Sequence, residues 1–172
     1  MNKNLILECK ASLTLENQLN EAEQPSGKIE AVATTWGARE GADGRRFNYQ
    51  PEGFSAWAKE FNEAGKPMPM FLNHNDMGMP VGQWEEIAFD EKGMTAKGKL
   101  FLETTAGSDV YSVLKKSPDL FGGVSVGAYA EEACLVDDEG NPLEEGSPDG
   151  YFQITKGGLR EISVVMYPNN PN

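Results

Sequence analysis

The sequence holds a single histidine, His74, so any device built on two histidines is excluded. It holds only two cysteines, Cys9 and Cys134, far apart and outside any metal-ligand spacing. Zinc sites of the Cys/His kind are therefore not expected, nor is a cofactor. So little cysteine suits a reduced, intracellular protein. Basic residues are few: 15 Lys and Arg stand against 27 Asp and Glu, a net charge of −12. Phosphate backbones are bound by clustered Lys and Arg, so no nucleic-acid partner is expected. No apolar run approaches the roughly 20 residues that cross a bilayer, which argues against a membrane partner. The start, Met1 to Glu16, is broken by Glu8 and Lys10 and does not read as a signal peptide.

What is present is globular in kind. The 172 residues are 39% hydrophobic, 9% aromatic and 24% charged, which suits one domain with a core of its own. Leu5, Leu7, Cys9, Ala11, Leu13 and Leu15 alternate with mostly polar residues, the period of a half-buried strand. Residues 17–28 read as a loop and 29–36 as a strand. Residues 37–46, with three glycines and several charges, read as an exposed loop. Pro51 opens a helix whose apolar stripe is Phe54, Trp57, Ala58 and Phe61, stopped by Gly65 and Pro67. Val81–Phe89 and Met94–Leu102 predict a hairpin, and a second helix is expected over 105–116. Val124–Ala130 reads as a strand. Residues 137–150, with six acidic and no basic residues, read as a solvated hairpin loop. Two further β segments, Tyr151–Thr155 and Leu159–Tyr167, are expected to be joined by Gly157-Gly158. The sum is a mainly β protein with helices (α+β): a mostly antiparallel six- or seven-stranded barrel or sandwich flanked by about two helices.

Three segments could carry chemistry. His74 follows the apolar run Met70-Phe71-Leu72 and precedes a polar loop, so it sits near the end of a strand. An isolated histidine is commonly a surface or capping residue, but an imidazole is also the side chain best suited to move a proton near neutral pH. Ser125 lies in Gly123-Val124-Ser125-Val126-Gly127, and strand parity puts it on one face with both glycines. That leaves space for a substrate backbone, or equally for a packed neighbour. Glu161 shares a face with Ser163 and Val165 in an otherwise apolar strand. A carboxylate buried there needs a partner, and a histidine N–H would serve. An exposed edge position, or a salt bridge to Arg160 or a lysine, would account for it as well.

Taken in order, these segments resemble the prohead protease family of tailed bacteriophages, capsid-maturation serine proteases related in fold to herpesvirus assemblin. The matching residues are His74, Gly78, Gly82 and Trp84, then Gly123 to Gly127, then Glu161 to Val165 followed by Pro168-Asn169-Asn170-Pro171. The resemblance runs from about Lys28 to Asn170. It implies a single protease domain over residues 1–172, and a serine endopeptidase that trims scaffold regions of the major capsid protein, and itself, inside the assembling prohead in the host cytoplasm. It implies Ser125 as nucleophile, His74 as base and then acid, and Glu161 as the group that orients His74, by the logic of a triad recognised from roles. Candidate oxyanion donors are the amides near Gly122 and Gly123 and the side chain of Arg160. A homodimer is one state that the resemblance allows. It also implies that a tail often follows the last strand and is removed by self-cleavage, which would put Asn172 near the boundary of the catalytic domain.

Two other classes compete. A capsid-assembly or scaffold-binding β-domain of the same fold would use the acidic loop for interaction and would need neither His74 nor Ser125. A cysteine hydrolase built on Cys134 would lack a basic neighbour to lower the thiol pKa.

Overall fold

The computed structural model describes residues 3–9, 13–15, 25–41 and 43–167, with the backbone alone for the first two stretches. The terminal motif from Pro168 onward lies outside the described residues, as do most of the loop expected over 17–28 and residues 10–12.

Ten strands form one curled sheet: β1 (Lys3–Cys9), β2 (Leu13–Leu15), β3 (Lys28–Thr35), β4 (Gly37–Glu40), β5 (Arg46–Tyr49), β6 (Met68–Leu72), β7 (Gly82–Phe89), β8 (Gly93–Leu100), β9 (Gly123–Val136) and β10 (Tyr151–Val165). The order along the sheet is β1-β9-β10-β6-β7-β8-β3-β2, with the β4–β5 hairpin attached to β10 through β5. Most pairs are antiparallel, as expected. Two are not: β10 runs parallel to β5 and to β6, so the sheet is mixed. Helices α1 (Ser55–Ala64) and α2 (Thr105–Lys116) complete the fold.

The core follows from alternation. Ile29, Ala31 and Ala33 of β3, Val124, Val126, Ala128 and Ala130 of β9, and Ile162 and Val164 of β10 are all buried. They lie two residues apart, as one face of a strand requires. On the stripe expected for α1, Phe54 and Ala58 are buried, and Trp57 and Phe61 stack with ring centroids 5.4 Å apart. Gly65 closes this helix in the left-handed conformation at φ 64°, where a side chain would be strained. In α2, Val110 and Leu114 turn inward, and the Thr104 hydroxyl caps the start by accepting from the Gly107 N–H at 3.0 Å.

Four expectations change. The alternating stretch from Leu5 to Leu15 is two strands with different partners, β1 on β9 and β2 on β3. Residues 37–46 are not only a loop: β4 and β5 pair there as a hairpin. Their charges are accommodated by stacking, with the Arg39 guanidinium 4.1 Å from the Tyr49 ring centre and that of Arg46 4.1 Å from Tyr151. Gly157-Gly158 does not separate two strands. It lies within β10, where the ladder with β9 is irregular. A Cβ on Gly157 would come within 2.3 Å of the Tyr129 carbonyl oxygen, and one on Gly158 within 2.3 Å of Trp57. These glycines serve close approach, not a turn. Among the described residues the strand count is ten instead of six or seven.

The acidic segment 137–150 does connect β9 to β10. It begins in a tight turn on Asp137, whose carboxylate accepts from the Asn141 side chain and backbone and from the Glu139 N–H. The bond from the Asn141 side chain, then that from its amide, hold the carboxyl below the usual carboxylate range.

Trp84 ties the halves of the sheet together. It has no exposed surface, and its indole N–H donates to the Ile162 carbonyl of β10 at 2.9 Å. Trp84→Phe removes that donor and leaves a void, and should cost about 2–4 kcal/mol of stability. Urea unfolding monitored by far-UV circular dichroism measures it; an unchanged midpoint and slope would contradict this role.

Candidate functional site

Three neighbouring strands bring the predicted residues together. In the sheet β9 lies beside β10, and β10 beside β6. Ser125 is on β9, Glu161 on β10, and His74 two residues beyond the end of β6. Ser125 stands directly across the ladder from Ser163, and Glu161 across from Gly127. The parallel pairing of Met70, Phe71 and Leu72 with Ile162, Ser163 and Val164 delivers the chain after β6 to the same place.

Beyond Leu72 the chain turns sharply. Asn73 and His74 both adopt the left-handed conformation, at φ 51° and 57°, uncommon for residues other than glycine. The Asn73 N–H donates to the Val164 carbonyl at 3.0 Å and the Asp76 N–H to the His74 carbonyl at 2.8 Å. This turn aims the imidazole back at the sheet. His74 Nε2 lies 2.5 Å from Ser125 Oγ, and Nδ1 is hydrogen-bonded to Glu161 Oε1. A carboxylate only accepts, so Nδ1 carries the proton and Nε2 is left to accept from the serine hydroxyl.

A bulge sets the carboxylate on the correct face. Leu159 pairs with Ala128 and Glu161 with Gly127, so the register shifts between them. Leu159 stays buried in the core while Arg160 is pushed out to solvent. A bulge re-aims side chains in this way. Glu161 then lies across Gly127, whose absent Cβ would come within 2.6 Å of Oε1 and 3.1 Å of Cγ.

The site is enclosed. The side chains of His74 and Glu161 are 15% and 12% exposed, and Ser125 is 0% exposed. Sequence reasoning missed one member: Ser163, also 0% exposed, whose hydroxyl donates to Glu161 Oε2 at 2.6 Å and accepts from the His74 backbone N–H at 3.0 Å. The signal was present in strand parity, which puts Ser163 beside Glu161.

Among the oxyanion candidates, the Gly122 N–H donates to the Met166 carbonyl at 3.2 Å. Gly123 has φ 154°, at the entrance to β9. Arg160 lies exposed with its guanidinium 5.8 Å from the Tyr129 ring centre. Cys134 is free and exposed farther along β9. A cavity of about 630 Å³ is lined by residues such as Glu132, Cys134, Glu145 and Phe152 near the acidic loop, and none of the three residues of the site lines it. Among the described residues, no cluster of three or more His, Cys, Asp or Glu is placed to hold a metal, and no helix is long and apolar enough to cross a membrane.

A hydroxyl hydrogen-bonded to an imidazole, itself hydrogen-bonded to a carboxylate, is an arrangement suited to nucleophilic acyl transfer. The family model of the Caudovirus prohead serine protease matches residues 14–172. The chain belongs to that family. The prohead protease of Enterobacteria phage HK97 is 30% identical over 106 residues, which are 61% of this chain and 42% of that protein. The chain thus aligns with less than half the length of that relative. No solved structure matches.

Gly127→Ala tests the packing around the carboxylate. The new methyl and the Glu161 side chain cannot share the space, so the bond to Nδ1 should break at a cost of about 1–3 kcal/mol. With one histidine in the chain, the imidazole ¹⁵N spectrum reports on His74 alone. An unchanged Nδ1–H signal in Gly127→Ala would show that the carboxylate had kept its place.

Proposed function

We propose that this chain is a serine endopeptidase that cleaves scaffold regions of a capsid protein, and itself, during prohead maturation in the host cell. The observation that carries the reading is the continuous chain from Ser125 Oγ through both nitrogens of His74 to Glu161. Family membership and the prohead protease relative support the substrate class. Ser125 and Glu161 lie in one sheet and His74 follows two residues after one of its strands, which supports reading the protease as a single domain.

In this reading Ser125 Oγ attacks the scissile carbonyl carbon as its proton passes to His74 Nε2. The imidazolium is stabilised by Glu161 through Nδ1–H. Collapse of the tetrahedral intermediate breaks the C–N bond, and Nε2–H gives its proton to the departing amine. A water, deprotonated at Nε2, then releases the acyl group and restores the serine. Ser125 is fully buried beside this histidine. The competing reading, a non-catalytic assembly domain, has no use for a buried serine–histidine–glutamate chain.

Purified protein incubated with its capsid precursor tests the reading. Ser125→Ala should lower scaffold cleavage by about a million-fold while the unfolding transition is retained. Glu161→Gln should lower turnover on the order of a hundred- to ten-thousand-fold and leave measurable activity. Undiminished cleavage by Ser125→Ala would overturn the assignment of the nucleophile, and no cleavage by the wild-type protein would favour the assembly domain.

A further inference from the structure

We propose that Ser163 is the positioning residue of this site: its hydroxyl fixes the catalytic carboxylate and the strained backbone of the catalytic histidine at the same time. This rests on the reading of Ser125, His74 and Glu161 given above.

A hydroxyl offers one proton and two lone pairs. Ser163 gives its proton to Glu161 Oε2 at 2.6 Å and takes the His74 backbone N–H at 3.0 Å. Neither partner holds its place by local preference. Glu161 is a carboxylate only 12% exposed, and its other oxygen is occupied by His74 Nδ1. His74 sits at φ 57°, after a second left-handed residue, Asn73. Such a turn persists only where surrounding bonds over-determine it. His74 and the carboxylate thus meet twice, once directly through the ring and once from the backbone through Ser163. The result is a closed ring of hydrogen bonds: Glu161 to the His74 side chain, His74 backbone to Ser163, Ser163 back to Glu161.

Ser163 is well placed to serve as this clamp. It is buried completely, on the strand between the other two, directly across from Ser125 and beside Phe71 of β6. With its proton already committed to Glu161, it is not poised as a second nucleophile. Alanine at this position would leave Oε2 and the His74 N–H without their partner in a closed site. The imidazole could then rotate away from Ser125 without disturbing the core on the opposite face of β10.

Ser163→Ala, Ser163→Thr and Ser163→Cys, assayed on the capsid precursor, test the proposal. Ser163→Ala should lower kcat by about 10- to 100-fold with KM little changed, the size expected for hydrogen bonds to a charged group. Ser163→Thr should recover part of the rate because it restores the hydroxyl. The imidazole ¹⁵N spectrum of Ser163→Ala should show an Nδ1–H that exchanges faster than in the wild type. If Ser163→Ala does not fold, Ser163→Cys decides the matter, since it keeps the volume but replaces the hydroxyl with a poor donor; it should fall short of wild-type kcat. Wild-type kcat and an unchanged Nδ1–H signal in either Ser163→Ala or Ser163→Cys would overturn the proposal. If Glu161→Gln is also undiminished, the triad reading has failed. If Glu161→Gln is impaired while the Ser163 variants are not, only the clamp is wrong.

Discussion

A carboxylate held between three strands is the constraint on which the rest of this site depends. Glu161 is mostly shielded from water, and a charge in that position is tolerated only when its oxygens are hydrogen-bonded. Oε1 is taken by the His74 ring and Oε2 by Ser163. Those two bonds dictate the surroundings. The bulge before Glu161 turns it away from the core, Gly127 vacates the volume it fills, and β6 ends where the following turn can bring an imidazole back to it. Satisfying one buried charge thereby orients a histidine toward a serine.

The sheet order makes this economical. The strand ending at Leu72 is far in sequence from the hairpin that contains Ser125 and Glu161, yet it lies beside the strand of Glu161 in space. The pairing of β10 with β6 is parallel, so the chain leaves β6 in the direction in which β10 is running. An antiparallel pair would have put the turn after Leu72 at the other end. Trp84 reinforces the arrangement by holding the Ile162 carbonyl between Glu161 and Ser163. The acidic loop and its adjoining cavity lie elsewhere on the β9–β10 hairpin, so the acidity of the sequence is not a property of this site.

Much of this was legible in the residues. Strand-like segments exposed β3, β7, β8 and β9, and the i, i+3, i+4 stripe exposed α1. The serine, histidine and glutamate each stood out for a local physical reason, and the structure places them in contact. The parallel pairings of β10 were not legible, because register between distant segments leaves no local period. The β4–β5 hairpin was hidden because its charged residues resemble a loop until Tyr49 and Tyr151 are placed under the arginines. Ser163 was hidden for a different reason. Strand parity places it beside Glu161, but its value depends on a backbone N–H from a segment 89 residues away.

The central claim is that Ser125 becomes covalently attached to substrate. Acid-quenched reaction of the protein with an activated ester of a scaffold-derived peptide, followed by peptide mass mapping, tests it most directly. The account predicts an acyl adduct on Ser125 that forms in the wild-type protein and is lost in His74→Ala. Hydrolysis that proceeds with no adduct on Ser125, or with the acyl group on another residue such as Ser163 or Cys134, would contradict it.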